Sequence, residues 1–233
     1  MKTKTNIHIF LIASLIVVIG LTQSCKTESK ISGYEGKRYS DSLYKSGAQS
    51  IPGKLQCEYY DFGGEGIAFH DSDSINSGSG RLNPANGTYL HEFRINEAVD
   101  ISYTKTGGVD DNGYNFKEPI LGQLYLGWTN PGEWTKYTVD VSQTGKYKLG
   151  IMYTSNQNGK ISLSVNDKDM TGPLLITSTF IEADSIPWRQ WHHWNYIDSL
   201  GTIELDKGIQ TLTINTVEIG QMNYDFINFE LIK

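Results

Sequence analysis

Cysteine is nearly missing from this sequence, with only Cys25 and Cys57 in 233 residues. A scaffold stapled by several disulfides is therefore excluded, and stability has to come from a buried apolar core. Positive charge is also short: 20 Lys and Arg stand against 26 Asp and Glu, a net charge of −6. An acidic surface is a poor match for the phosphates of nucleic acid. The motifs of common catalytic sites are missing too. There is no nucleophile elbow, no phosphate-binding glycine loop, and no CxxC or HExxH spacing. His192 and His193 are adjacent, which on a strand sends them to opposite faces and prevents joint ligation of one ion. Past the first twenty or so residues no long window has helical spacing.

What is present begins with Lys2 and Lys4 ahead of "IHIFLIASLIVVIGL", an apolar run too short to span a bilayer comfortably. Residues 1–24 are expected to be an export signal. It ends in "LTQSC", which resembles the lipobox of bacterial lipoproteins, with Thr22 where the usual pattern has an aliphatic residue. That resemblance implies lipidation at Cys25, a membrane anchor in the bacterial cell envelope, and an outer-membrane location. Loss of residues 1–24 removes two lysines and no acids, taking the charge from −6 to −8. Residues 25–50 are polar and Ser- and Lys-rich, and are expected to be a flexible tether.

Residues 51–233 alternate with a period of two. "KYTVDV" places Tyr137, Val139 and Val141 on one face, "KYKLGIMY" does so with Tyr147, Leu149, Ile151 and Tyr153, and "KISLSV" with Ile161, Leu163 and Val165. "QTG", "NQNG", "NDKD" and "LDKG" between such runs are turn signals. Many short strands with one apolar face predict an all-β, two-sheet antiparallel β-sandwich, of which the jelly roll is one form. Cys57 shares parity with Leu55 and Tyr59 and is expected to be a small buried hydrophobe. The segments 72–90 and 105–124 are long and rich in Gly, Asn and Asp, a length more often functional or mobile than merely connective.

Aromatics are plentiful: 5 Trp, 14 Tyr and 8 Phe. Strand cores account for most of them. Trp128, beside the Pro-Gly turn of "LGWTNPGEW", and Trp188, after Ile186-Pro187 in "SIPWRQWHHW", fit a core least well. Two readings stand: both indoles fold back into the core, or they form platforms for a sugar, whose C–H face packs on an aromatic ring while its hydroxyls meet polar groups. An acid pair for glycoside hydrolysis would have to come from Glu58, Glu65, Asp71, Glu133 and Asp225, and a supply of acids is not a pair.

The segments "IPGKLQCEYYDFGGEGIAFHD", "FRINEAVDI", "LGWTNPGEWTKYTVDV", "IPWRQW", "IELDKGIQTLTINTV" and "MNYDFINFEL" resemble, in order and spacing, the family 6 carbohydrate-binding modules. The resemblance implies a calcium-containing β-sandwich jelly roll that binds glycans of β-glucan, xylan or galactan type without catalysis, often beside a separate polysaccharide-degrading enzyme. By the same resemblance Trp128 and Trp188 face each other across a cleft, Asn223 binds sugar hydroxyls, and Glu65 lies nearby. Gln56, Glu58 and Asp225 would hold a structural calcium, a hard cation suited to oxygen ligands. Trp134 and Trp191 match positions read as core. Ser185-Ile186-Pro187 replaces the Thr-Gly-Gly usual in the family. The alternative is a structural or adhesive envelope sandwich without sugar binding.

Overall fold

The structure is a computed structural model that describes residues 31–41 and 47–232. Cys25 and the expected export signal lie outside the described residues. Thirteen strands follow one another: β1 (Gln49–Ile51), β2 (Gly53–Gln56), β3 (Phe69–His70), β4 (Ile101–Tyr103), β5 (Leu124–Thr129), β6 (Trp134–Val141), β7 (Gly145–Ser155), β8 (Gly159–Val165), β9 (Lys168–Asp169), β10 (Leu174–Ile176), β11 (Asn195–Leu205), β12 (Gly208–Glu218) and β13 (Met222–Ile232). A four-residue helix, Tyr89–Glu92, and a 3-10 helix, Pro187–Trp191, are the helical pieces among the described residues.

The strands form two sheets. One runs β1-β6-β12-β8-β10, with β3 on β6 and β9 on β8; the other runs β11-β7-β13-β5-β4, with β2 on β13. All pairings are antiparallel except β1 with β6. The expected two-sheet sandwich is therefore what forms, with one parallel edge. The alternation explains why: Tyr137, Val139, Val141, Tyr147, Leu149, Ile151, Tyr153, Ile161, Leu163 and Val165 all point into the space between the sheets. "NDKD" turns β8 into β9 with Asn166 and Asp167 in left-handed backbone, the geometry that a tight hairpin demands. Cys57 is buried in the same core.

Part of the expected tether is docked instead. The Tyr39 ring stacks on Tyr59 with centroids 5.0 Å apart. Lys37 and Phe62 exchange backbone hydrogen bonds of 2.7 and 2.6 Å. Tyr34 Oη donates to Asp61 Oδ2 at 3.0 Å. Polar composition hid two tyrosines with enough apolar area to bind the domain.

A second, smaller apolar cluster lies on the outer face of the β11-β7-β13 sheet, made by Tyr125, Met152, Trp194 and Phe226. The 105–124 segment covers it: Phe116 N and Lys117 N donate to the Trp194 carbonyl at 2.8 and 3.0 Å. Trp194 Nε1 donates to the buried Asp110 Oδ1 at 2.7 Å. This long loop is thus a cover for a sheet face. The tryptophan that is fully buried is Trp194. Trp134 and Trp191, expected in the core, are only partly buried, because Trp134 starts β6 and Trp191 ends the 3-10 helix, both at the rim.

Candidate functional site

Strand β5 alternates until Leu126 and then turns out of register: Gly127 N donates to the Asp100 carbonyl at 2.9 Å, and Trp128 has φ of 51°. A left-handed backbone at a bulky residue costs about 1–3 kcal/mol and persists only where neighbours fix it. Here Asn223 fixes it. Its Oδ1 accepts from Trp128 N at 3.2 Å, and a Cβ on residue 127 would come within 2.8 Å of that oxygen, so only glycine fits there. The result is an indole that is 39% exposed at the end of a strand rather than inside the Pro-Gly turn, which spans the next residues.

Asn223 is itself buried, on β13. Its Nδ2 donates to Thr154 Oγ1 at 3.0 Å and to the Trp191 carbonyl at 2.9 Å. One carboxamide therefore joins the end of β5, strand β7 and the C-terminal end of the 3-10 helix that carries Trp188. With both N–H groups used, one lone pair of Oδ1 remains for a ligand. Trp188 is 52% exposed and meets the His192 ring edge-on at 5.8 Å.

The 3-10 helix that carries Trp188 is braced from behind. Asp184, whose side chain is fully buried, accepts from Arg189 Nε at 2.6 Å and Nη2 at 2.7 Å, and from Ile186 N at 3.0 Å. His193 Nε2 lies 2.8 Å from the same carboxylate. The Arg189 guanidinium holds the Asp184 carboxyl well below the usual carboxylate range, and the His193 and Ile186 contacts add to this. Gln190 bonds Ile181 through both its amide groups, at 3.0 and 2.8 Å. His192 Nδ1 lies 2.8 Å from Asp110 Oδ1, which ties the wall to the 105–124 segment. These braces were not foreseen; the Asp184–Arg189 spacing was the available signal.

Glu65 lies on the Trp128 side. It pairs with His70 Nδ1 and accepts from Asp71 N at 3.1 Å. Ser72 N donates to Glu133 Oε1 at 3.2 Å, and Asn130 Nδ2 links that oxygen to the Trp128 carbonyl, at 3.1 Å to each. Asp71 and Asp100 are both pushed up to about 7, chiefly by burial, with neighbouring acids including Glu133 and Asp73 adding to it.

Glu58 and Asp225 form a separate group. Both are buried, and Glu58 Oε1 and Oε2 and Asp225 Oδ1 have no hydrogen-bond partner. Cys57 N donates to the Asp225 carbonyl at 2.9 Å, and Gln56 pairs with Phe226, so the start of the domain meets its last strand here. Burial, then the Asp225 charge, raises the Glu58 carboxyl well above its ordinary range. Burial pushes Asp225 up to about 7, opposed by Lys54. Unpartnered buried carboxylates are costly unless a cation compensates them, so this donor chemistry fits a hard divalent ion. Strand β2 stops at Gln56, so parity does not carry to Glu58, and the Gln56 Oε1 accepts from Gln123 Nε2 at 3.3 Å. Among the described residues no three His, Cys, Asp or Glu side chains come together as a metal site. Amide and backbone oxygens would have to complete a shell.

A family model described as carbohydrate binding module (family 6) matches residues 99–232. Trp128, Trp188, Asn223 and Asp225 fall within that span; Gln56, Glu58 and Glu65 precede it. No curated protein matches the chain. Among solved structures, a family 6 module of Clostridium stercorarium in complex with cellobiose is 12% identical, with 80% of this chain and 98% of that one covered and a TM-score of 0.47. A β-1,3-glucan-binding family 6 module of Bacillus halodurans is 14% identical, covering 79% of this chain and 99% of its own, at a TM-score of 0.47. A glycoside hydrolase family 43 arabinoxylan arabinofuranohydrolase of Bacillus subtilis, in complex with cellotetraose, is 12% identical over 82% of this chain at a TM-score of 0.48; this chain spans only 29% of its length.

Proposed function

Because the chain belongs to the family 6 carbohydrate-binding modules, we propose that it binds a polysaccharide or oligosaccharide, without catalysis, between the indoles of Trp128 and Trp188. The observation that carries this reading is that one buried side chain, Asn223, is bonded both to the backbone of Trp128 and to the helix of Trp188. Backbone strain is spent at Trp128 to present an apolar ring to solvent, which serves no purpose for stability and suits stacking on the C–H face of a pyranose. The free lone pair of Asn223 Oδ1 and the Glu65 carboxylate are the acceptors offered to sugar hydroxyls. β-Glucans, xylans and galactans are the glycan types to try.

In the same reading Glu58 and Asp225 hold a structural calcium ion, with Gln56 and backbone carbonyls as further oxygen ligands. Bound there, the ion neutralises two buried carboxylates and clamps the first strands to β13. Cys25 carries a lipid that anchors the protein to the cell envelope, at the outer membrane, where it keeps glycan close to a separate polysaccharide-degrading enzyme.

A glycan array with the full chain in detergent, followed by calorimetry on the best ligand, tests the central claim. Trp128→Ala and Trp188→Ala are expected to bind at least about tenfold more weakly than wild type. A wild type that retains no glycan, or indole variants that bind as wild type does, would overturn it. Cys25→Ala should move the protein from the membrane pellet to the soluble fraction, and a variant that still pellets after a carbonate wash removes the anchor.

A further inference from the structure

Residues 74–76, 79–81 and 95–97 line an open pocket of about 300 Å³, the size range in which small ligands are held. Its lining is mostly polar, and some of its polar atoms have no partner. Asn76 is buried; its Oδ1 accepts from Gly78 N, Ser79 N and Ile101 N at 3.0, 2.9 and 3.2 Å, while its Nδ2 has no partner. Arg81 is exposed, and while its backbone N donates to the Gly78 carbonyl at 3.3 Å, its guanidinium has no hydrogen-bond or ion-pair partner among the described residues. Glu97 Oε2 is held by Arg94 Nη2 at 2.8 Å and by Tyr60 Oη at 3.1 Å, which fixes the carboxylate and leaves Oε1 free. Gly80 is required: with φ of 77°, its Cβ would strike Ile95 Cδ1 at 2.6 Å and close the pocket. The combination of amide, guanidinium and carboxylate groups around one volume, with the exposed hydroxyl of Ser74, suits a polyhydroxylated ligand better than a single charged one.

The place of the pocket says which ligand. Ser77 N donates to Asp100 Oδ1, and the Asp100 carbonyl accepts from Gly127 N at 2.9 Å. Strand β4 begins beside Asp100 and pairs with β5, which ends at Trp128 and Thr129. The pocket therefore lies beside the Trp128 end of β5, beyond β4, about two strand spacings or roughly 10 Å across from β5. That is farther than one monosaccharide reaches and within the reach of a short oligosaccharide.

We propose that the pocket between residues 74–81 and 95–97 is a distal subsite that receives a hydroxylated sugar unit of the same glycan chain whose other unit stacks at Trp128. This rests on the glycan-binding reading above. It gives the long 72–90 segment a function: it extends the site along the ligand, so that chain length is recognised as well as sugar type.

The test is calorimetry on the full chain in detergent with oligosaccharides of the best array ligand, from disaccharide to hexasaccharide. The variants are Arg81→Ala and Asn96→Ala, both exposed, and Trp128→Ala for reference. Wild-type affinity is expected to rise with chain length. Arg81→Ala and Asn96→Ala are expected to bind the disaccharide as wild type does and the hexasaccharide roughly five- to tenfold more weakly. Trp128→Ala should bind weakly at every length. Affinity that is flat with length, pocket variants that bind the hexasaccharide as wild type does, or an equal loss for both ligands would each overturn the distal subsite. A wild type that binds no glycan, or Trp128→Ala binding as wild type, would instead overturn the glycan-binding reading and take the subsite with it.

Discussion

Two buried acidic centres in this molecule are built in opposite ways. Behind Trp188, Asp184 receives Arg189 by two N–H groups, the Ile186 amide and His193. At the seam between the first strands and β13, Glu58 and Asp225 place three oxygens in the interior with no donor at all. The first centre is complete within the protein and makes a wall stiff. The second is complete only with something added. A buried carboxylate with its donors in place is a bracket, and one without them is a vacancy for positive charge.

The largest expected effects break the first centre. Asp184→Ala leaves Arg189 and His193 without their partner, and urea unfolding should show a lower midpoint than for any surface substitution. Trp194→Ala, which empties the space between the 105–124 cover and the sheet, is expected to cost about 3–5 kcal/mol in the same assay. An unfolding curve like that of wild type for either variant would mean that the wall and its cover hold nothing.

The second centre is next. If calcium is bound at about a hundred times its dissociation constant, linkage adds about 2.7 kcal/mol, and a chelator should lower the melting temperature by roughly 5–10 °C. Asp225→Asn should be nearly insensitive to the chelator, and in chelator it should be more stable than wild type, since it relieves the repulsion felt by Glu58. A wild-type melt that excess chelator leaves unchanged removes the ion from the account.

Smaller still is the effect of the exposed indoles on stability. Trp128→Ala and Trp188→Ala should lose on the order of 1–3 kcal/mol of binding free energy while unfolding within about 1 kcal/mol of wild type, in contrast to Trp194→Ala. Loss of folding on the scale of Trp194→Ala would place them in the core.

The smallest effect concerns Asp100, pushed up to about 7 by burial and by Asp71, Asp73 and Glu133. The folded state then keeps a proton that the unfolded chain has released, so this group makes stability fall as pH rises from about 4 to about 7. Asp100→Asn should raise the melting temperature above pH 7 and leave it unchanged near pH 4. A gain of equal size at both pH values would show that its charge is not the cause.

The strands could be read from the sequence because alternation is a local signal, and β6, β7 and β8 carry it without interruption. That Asn223 bonds both to the backbone of Trp128 and to the end of the helix carrying Trp188 was accessible only through the family resemblance, since the three lie far apart along the chain. Trp194 was illegible for a physical reason: it faces outward from its sheet and is buried by a loop that has no periodicity to announce it. The docking of Tyr34 and Tyr39 was hidden in the same way, two aromatics in a stretch whose average polarity suggested a tether. The orphaned oxygens at Glu58 and Asp225 depend on which donors are absent in space, and sequence does not record absences of that kind.

Strand β13 has a place in the sheet that bears on how the molecule comes into being. It lies between β7 on one side and β2 and β5 on the other. During synthesis these neighbours are made long before it, and the sheet has an open slot until residues 222–232 arrive. Folding is then a late event that waits on distant partners, slow by comparison with a helical bundle, and until it happens the chain passes through its environment as an unfinished sheet with bare edges.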